Sequence, residues 1–535
     1  MLHRLPLLLL PAATLFGAAV LAVGAAAQPA DQPRPNIVYI MSDDHALRTI
    51  GAYGRGFHDT PNLDRISNEG AVFANAFVGN SICGPSRAAI LTGTHAHVNG
   101  VTGNAQPWDS TQAVFPRLLQ QSGYRTALFG KWHLNSKPAD EFDEYTILTG
   151  AGKQGFYYNP EVYSPDTGTR TIPGYSTDIV TDLSIDWLDR HEAAGGAEPF
   201  LLLVQYKAVH VPRMPPLRLL DRYRDATIPE PPTLTDDLAT RTHNAAEPNF
   251  FLDEFRHEPP LAEHTPDRRG IYFERMTDAE FEAYHAAIDP QNAEYERLRA
   301  SGALDDPRAM RAYHYQRFIK DYLRIVDALD ENVGRLLDRI DADPELRENT
   351  IVVYASDQGY FTGEHGYAEK RLMYEEAVRM PLLMRWPAQI APGTRVEALV
   401  QNIDLAPTFL EAAGLAPIDR MQGVSLAPLL GGVAPPDWRR SVYYHYYDHG
   451  IHRVPRHAGV RTQTHKLVHF YTDDTWELYD LVADPHELRN VYDDPAYGDE
   501  QAALTAEYLR LRDHYGVPPE TFEAPFPAAL ASSAP

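Results

Sequence analysis

The apolar positions of this chain alternate between two textures. Ile37-Val38-Tyr39-Ile40-Met41, inside PNIVYIMSDDH (35–45), is apolar at every position. That is the pattern of a strand buried on both faces of a parallel sheet. It returns in YRTALFGKWH after the helical FPRLLQQSG, in PFLLLVQYKAVH after TDIVTDLSIDWLDRH, and in TIVVYASDQG after a long helix. The long helix carries Ile319, Tyr322, Val326, Leu329, Val333, Leu336 and Ile340 at alternating steps that make one apolar stripe. Strands alternating with helices predict an α/β fold, with a large, mostly parallel sheet and helices on both faces.

Polar residues gather where these strands stop. Asp43, Asp44, Lys131, His133, His210, Asp357 and Gln358 each fall just past the C-terminal end of a predicted strand. Open α/β sheets bind ligands along that edge, so segments distant in sequence deliver charged groups to one rim. An acidic stretch rich in Pro and Asp, residues 212–313, is expected to be an insertion over the sheet edge with short helical pieces such as TDAEFEAYHAAI. From Arg439 the texture changes to short aromatic strands (SVYYHYY, HAGVRTQ, THKLVHFY, WELYDLV) and a closing helix, DEQAALTAEYLRLRDHYG. The expected organisation is a main domain over 28–438 and a smaller C-terminal domain, 439–535, with an antiparallel sheet.

Residues 1–27 have a short basic start, an apolar run and Ala25-Ala26-Ala27. This is the layout of a secretory signal cleaved after Ala27, so the protein is expected to be exported to the periplasm or the medium, with no membrane attachment after cleavage. The remainder, in a chain 44% hydrophobic and 23% charged, reads as globular material. The single cysteine excludes an internal disulfide. A net charge of −25 argues against a nucleic-acid partner and repels anions at long range. Any anion site must therefore be built locally.

That cysteine, Cys83, opens SICGPSRAAILTG (81–93). The segment reads as a short helix with Pro85 in its first turn and Gly93 as its stop. Cys83 then lies at the helix N-terminus, with Arg87 one turn on, where backbone N–H groups and the helix dipole favour an anion. Read from the residues alone, Cys83 is either an inert buried thiol or a thiolate nucleophile.

The run C-G-P-S-R followed by AAILTG resembles the signature of type I sulfatases, in which the cysteine of C-x-P-S-R is oxidised to formylglycine. The resemblance extends over almost the whole chain, through SDDH, GKWH, KAVHVP, SDQGYFTGEHG, EKRLMYEE and WELYDL…DPHE in family order. It implies an alkaline-phosphatase-like fold and a sulfuric ester hydrolase, with one hydroxyl of an aldehyde hydrate attacking sulfur and the other allowing collapse that expels sulfate. A maturation enzyme that reads the Cys83 motif is an implied partner. Asp43, Asp44, Asp357 and the amide oxygen of Gln358 form an all-oxygen set for a hard cation. The resemblance makes that cation Ca²⁺, with residue 83 as a further ligand, although relatives commonly carry Asn or His at the position of Gln358.

Carried over residue by residue, the resemblance has Arg87 fix the formylglycine hydrate, and Lys131 and Lys370 hold the sulfate oxygens. His133 is the base that drives collapse, and His210 the acid that protonates the leaving alcohol. Arg371 adjoins Lys370 and offers the same charge. His45 and His365 adjoin these motifs without an assigned role. The aromatic and His-rich C-terminal region resembles that of bacterial glycan sulfatases of the N-acetylglucosamine-6-sulfatase kind. The expected substrate is therefore a sulfated carbohydrate, with 6-O-sulfated N-acetylglucosamine foremost and His457 and Arg461 as substrate contacts. The alternatives are a phosphonate or phosphate monoester hydrolase of the same superfamily, and a non-catalytic sulfated-glycan-binding protein.

Overall fold

Ten strands form the large sheet: β1 (Asn36–Ser42), β2 (Ala71–Phe77), β3 (Arg125–Gly130), β4 (Glu144–Leu148), β5 (Glu161–Ser164), β6 (Gly168–Thr171), β7 (Phe200–Gln205), β8 (Thr350–Ser356), β9 (Leu382–Arg385) and β10 (Thr394–Gln401). Their order is β10-β2-β9-β8-β1-β7-β3-β4-β5-β6. The centre, β8-β1-β7-β3-β4, is parallel, as is β10 with β2, whereas β9 and the β4-β5-β6 meander pair antiparallel. The structure, a computed structural model, describes residues 34–54, 57–248, 250–252, 273–450 and 452–522. The expected signal at 1–27 lies outside these residues, as do 253–272 of the expected insertion.

The continuous apolar runs follow from burial on two sides. Ile37, Tyr39 and Met41 of β1 enter one core with Leu201, Leu203, Ile351 and Val353. Val38 and Ile40 enter the other with Leu202, Val204, Val352 and Tyr354. The second core is closed by the Pro307–Asp341 helix, whose stripe from Ile319 to Ile340 is fully buried. Asp306 caps that helix by accepting from the Arg308 N–H, with Pro307 in the first turn.

The stretch 212–313 is more regular than its sequence suggests. It holds a 23-residue helix, Asp278–Ala300, opened by a Thr277/Glu280 capping box, and the start of the long helix. Only Tyr284 and Ile288 of the first helix are buried and Pro290 lies inside it, so its apolar stripe is too thin to read.

A second sheet is antiparallel: β11 (Ser441–Tyr446), β12 (His457–Thr462), β13 (His465–Phe470) and β14 (Thr475–Asp480). Tyr443, Val460, Leu467 and Leu478 pack against Leu504, Tyr508 and Leu511 of the Gly498–Tyr515 helix. Val442, Tyr444 and Tyr446, on the opposite face of β11, join the main core. Among the described residues no helix is long and apolar enough to cross a membrane.

The parallel strand ends are tied together. Asp43 N–H donates to Ala208 O (2.8 Å), Val209 N–H to Asp43 O (2.7 Å), Lys131 N–H to Gln205 O (2.6 Å) and Asp357 N–H to Ser42 O (3.1 Å). Gly130, which delivers Lys131, has φ +113°, and a Cβ there would stand 1.9 Å from Gln205 O. Gly130→Ala is therefore expected to lower unfolding stability in a urea titration by about 3 kcal/mol. Gly431→Ala, which meets nothing within 4 Å, should leave it unchanged.

Candidate active site

The Cys83–Thr92 helix starts six residues after β2 ends, and all ten of its residues are buried. Gly93 stops it in the left-handed conformation, φ 66°. Cys83 lies in its first turn, where Sγ donates to Asp43 Oδ1 at 3.3 Å. One oxygen each of Asp43, Asp44 and Asp357 lies with this Sγ within 4.8 Å of one another, and His210 joins Asp43 and Cys83 at the same range. Burial, with Asp43 next to it, pushes the Cys83 thiol far up, so the unmodified residue is no thiolate.

One cation lies against each of the three acids. Arg87 places Nε and Nη2 at 3.1 and 3.0 Å from Asp357 Oδ2, and its Nη1 donates to Lys131 O (2.6 Å) and Gln205 Oε1 (3.1 Å). Lys131 pairs with Asp43 and donates to Gln154 Oε1 at 3.1 Å. Lys370 Nζ lies 2.7 Å from both oxygens of Asp44. Burial works against the Asp43 charge, but Lys131 above all holds its carboxyl well below the usual range. Burial outweighs Lys370 at Asp44, whose carboxyl is raised, and burial with Asp43 raises Asp357 to about 7. Two carboxyls in the cluster are thus raised in the absence of further positive charge.

Gln358 donates from Nε2 to Asp44 Oδ1 at 2.5 Å, while its buried Oε1 has no hydrogen-bond partner among the described residues. The two amide atoms have nearly the same shape, so a half-turn presents Oε1 to the carboxylates. That arrangement suits a cation there and suits little else.

His210 Nδ1 lies 2.6 Å from Val211 O, and its Nε2 lies 3.8 Å from Asp44 Oδ2. A carbonyl only accepts, so Nδ1 carries a proton. His133 stands at φ 54°, and its buried Nδ1 has no hydrogen-bond partner among the described residues. Burial first, and Lys131 among the charges, hold both rings neutral.

The two expected substrate contacts are buried among neighbouring side chains. His457 is fully enclosed, stacked on Tyr444 and Tyr446 with centroids at 5.5 Å, with Nδ1 2.7 Å from Pro455 O. Arg461 pairs with Glu375 (3.1 Å) and covers the Phe77 ring (4.8 Å to centroid). The aromatic alternation that suggested sugar binding is instead the core packing of β11 and β12. His45 and His365 bond to Tyr354 and Asp236 respectively.

Besides Arg371, residues that the sequence did not single out also reach the cluster. Lys207 is buried beside it, and burial plus Lys131 lower its ammonium to about 7. Glu369 and Arg371 flank Lys370 and pair with each other, with Arg371 at φ 93°. Burial opposes the Glu369 charge, yet Arg371 and Lys370 draw its carboxyl to about 2. His452, lowered to about 4 by burial and then by Arg371, faces this pair from the loop after β11. The strand-end position that marked His210 also marked Lys207 three residues earlier, whereas His452 left no signal in the sequence.

Comparison with known proteins defines the class. Residues 35–415 match the family model described as Sulfatase, and residues 363–514 match that of the N-sulphoglucosamine sulphohydrolase C-terminal region. The chain belongs to the sulfatase family, and it is a sulfuric ester hydrolase. It is 40% identical over 510 residues to an N-acetylglucosamine-6-O-sulfatase of Bacteroides thetaiotaomicron, covering 92% of this chain and 89% of that one. A solved structure described as a complex with its substrate D-glucosamine-2-N,6-O-disulfate superposes with a TM-score of 0.87 at 40% identity, over 91% of this chain and 99% of the other. A phosphonate monoester hydrolase from Silicibacter pomeroyi shares the fold, with a TM-score of 0.68 at 22% identity over 90% and 96% of the two chains.

Arg461→Met should lower unfolding stability by about 2 kcal/mol, because Lys466 still partly neutralises Glu375. Sulfate release by the folded variant should match that of the parent, whereas a raised KM would make Arg461 a substrate contact.

Proposed function

We propose that this chain removes the 6-O-sulfate from sulfated glucosamine units of a carbohydrate, using a formylglycine formed from Cys83 and a Ca²⁺ ion. The observation that carries this reading is the meeting of Asp43, Asp44, Asp357 and Cys83 within 4.8 Å, in a chain 40% identical to an N-acetylglucosamine-6-O-sulfatase over nearly its whole length. The acids and Gln358 fit the ion. Three buried carboxylates, two of them raised, and a partnerless amide oxygen form an oxygen donor set short of positive charge. Asp43, Asp44, Asp357, Gln358 and residue 83 would hold it. When present, the formylglycine hydrate supplies the nucleophilic hydroxyl and the Ca²⁺ withdraws charge from the ester oxygens.

The remaining roles belong to the side chains described above. Arg87 holds the Asp357 carboxylate and the Lys131 carbonyl in place through its hydrogen bonds. Lys131 and Lys370, paired with Asp43 and Asp44, are the two ammoniums that would hold the sulfate oxygens. His210, once it takes up a second proton at Nε2 with substrate bound, gives that proton to the departing sugar oxygen. The negative charge of an incoming sulfate ester offsets Lys131 and Lys370, which together with burial hold that ring neutral. His133, the other neutral imidazole, is the base. Glu369, Arg371 and His452, gathered next to Lys370, offer the donors and acceptors that a sugar ring requires.

The basic-apolar-small pattern of residues 1–27 supports export and removal of that segment. The same reading divides the mature chain into a catalytic part, 28–438, and a smaller part, 439–535. A maturation enzyme acting on Cys83-Gly84-Pro85-Ser86-Arg87 is its necessary partner.

The test is sulfate release from 6-O-sulfated N-acetylglucosamine, D-glucosamine-2-N,6-O-disulfate, an aryl sulfate and matched phosphate and phosphonate esters, with peptide mass confirming conversion of residue 83. The 6-sulfated sugars should be the best substrates. Chelation of Ca²⁺ and Cys83→Ala should each cost at least about 1,000-fold in kcat/KM. Converted, Ca²⁺-loaded protein that releases phosphate but no sulfate would sink the reading.

A further inference from the structure

The mechanism above leaves one buried amine beside the cluster without a role. Lys131, Lys370 and Lys466 each lie against a carboxylate. Lys207 is 3% exposed and makes no ion pair with any described residue. A buried amine with no carboxylate beside it is held by its remaining contacts, and those indicate what it does.

Those contacts converge on His210. Lys207 Nζ donates to Val211 O at 3.3 Å, and the same carbonyl accepts from His210 Nδ1 at 2.6 Å. The ammonium lies 5.2 Å from the centroid of the Tyr157 ring, and the Tyr157 hydroxyl donates to His210 O at 2.8 Å. Lys207 therefore holds both the carbonyl that orients the imidazole and the ring that anchors the His210 backbone. A cavity of about 120 Å³, lined by Gln154, Phe156, Lys207, Pro212 and Met214 among others, adjoins it. Val211 lines the same cavity.

We propose that Lys207 is a positioning residue for His210: its Nζ pins the Val211 carbonyl and thereby aims Nε2 at the departing sugar oxygen. This rests on the assignment of His210 as the proton donor. As the S–O bond breaks, its electron pair stays on the sugar oxygen, which takes the proton from Nε2. A sugar alkoxide leaves poorly without that proton. The phenolate of an acidic aryl sulfate leaves without it.

The experiment compares wild type, Lys207→Met and Lys207→Arg on 6-O-sulfated N-acetylglucosamine and on an aryl sulfate with an acidic phenol, using converted, Ca²⁺-loaded enzyme. Lys207→Met should lose about 100-fold in kcat on the sugar ester with KM within about threefold, and at most about threefold on the aryl ester. Lys207→Arg should recover most of the loss. Equal loss on both esters, a change confined to KM, or an Arg variant no better than Met would overturn the proposal. Aryl-ester turnover by the variants also reports that the site has folded. Wild type that cleaves only the aryl ester refutes the sugar substrate itself, and this inference falls with it. A normal sugar sulfatase whose Lys207 variants behave like the parent refutes this inference alone.

Discussion

Asp43, Asp44 and Asp357 are fully buried within a few ångströms of one another, and the rest of the site answers that placement. Two unit charges 4 Å apart interact by about 4 kcal/mol at an effective dielectric near 20, and each buried ion carries a desolvation cost of several kcal/mol besides. No arrangement of neutral groups offsets three such charges. Arg87 reaches back from the first helix after β2, Lys131 arrives from the end of β3 and Lys370 from the loop after β8, and each meets one acid. Asp44, His133 and Arg371 accept left-handed backbone to be there. Strain of this kind persists where the surroundings over-determine it.

The surroundings do so from behind as well as from the strand ends. Tyr444 of the second sheet donates to Arg371 O and accepts from Ser81 N–H, bracing both the Lys370 loop and the turn that leads into Cys83. Ser86 donates to Asp357 O and accepts from Asn402. The small sheet thus braces the wall of the site through its backbone and aromatic contacts, and Arg461 adds an ion pair to Glu375.

The sheet and its reactive rim were legible in the sequence for the same reason. A strand buried on two faces must be apolar throughout, so any charge at its end stands out, and four such ends converge. Ile319 to Ile340 was equally plain, because a stripe along a buried helix has a period. Legibility failed where those rules do not apply. Arg461 and His457 sit among alternating aromatics, a pattern shared by a sugar platform and by a small sheet's core, and their partners Glu375 and Pro455 lie at distances no spacing reveals. Lys207 was hidden by its neighbour His210, since only geometry shows that both bond to one carbonyl. The helix at 278–300 buries two residues, too few for a stripe.

Every residue of the Cys83–Thr92 helix is out of reach of solvent, including the Cys83-Gly84-Pro85-Ser86-Arg87 run. Backbone and side chains there are already engaged, by Asn104, Asp357, Asn402 and the Lys131 carbonyl. No second protein can grip that run once the sheet has closed over it. Any chemistry on the thiol therefore belongs to the nascent or unfolded chain, and folding sets its deadline. Under the proposed conversion of Cys83, the proportion of competent protein in a preparation is set before β8, some 260 residues beyond Arg87 in the chain, pairs beside β1.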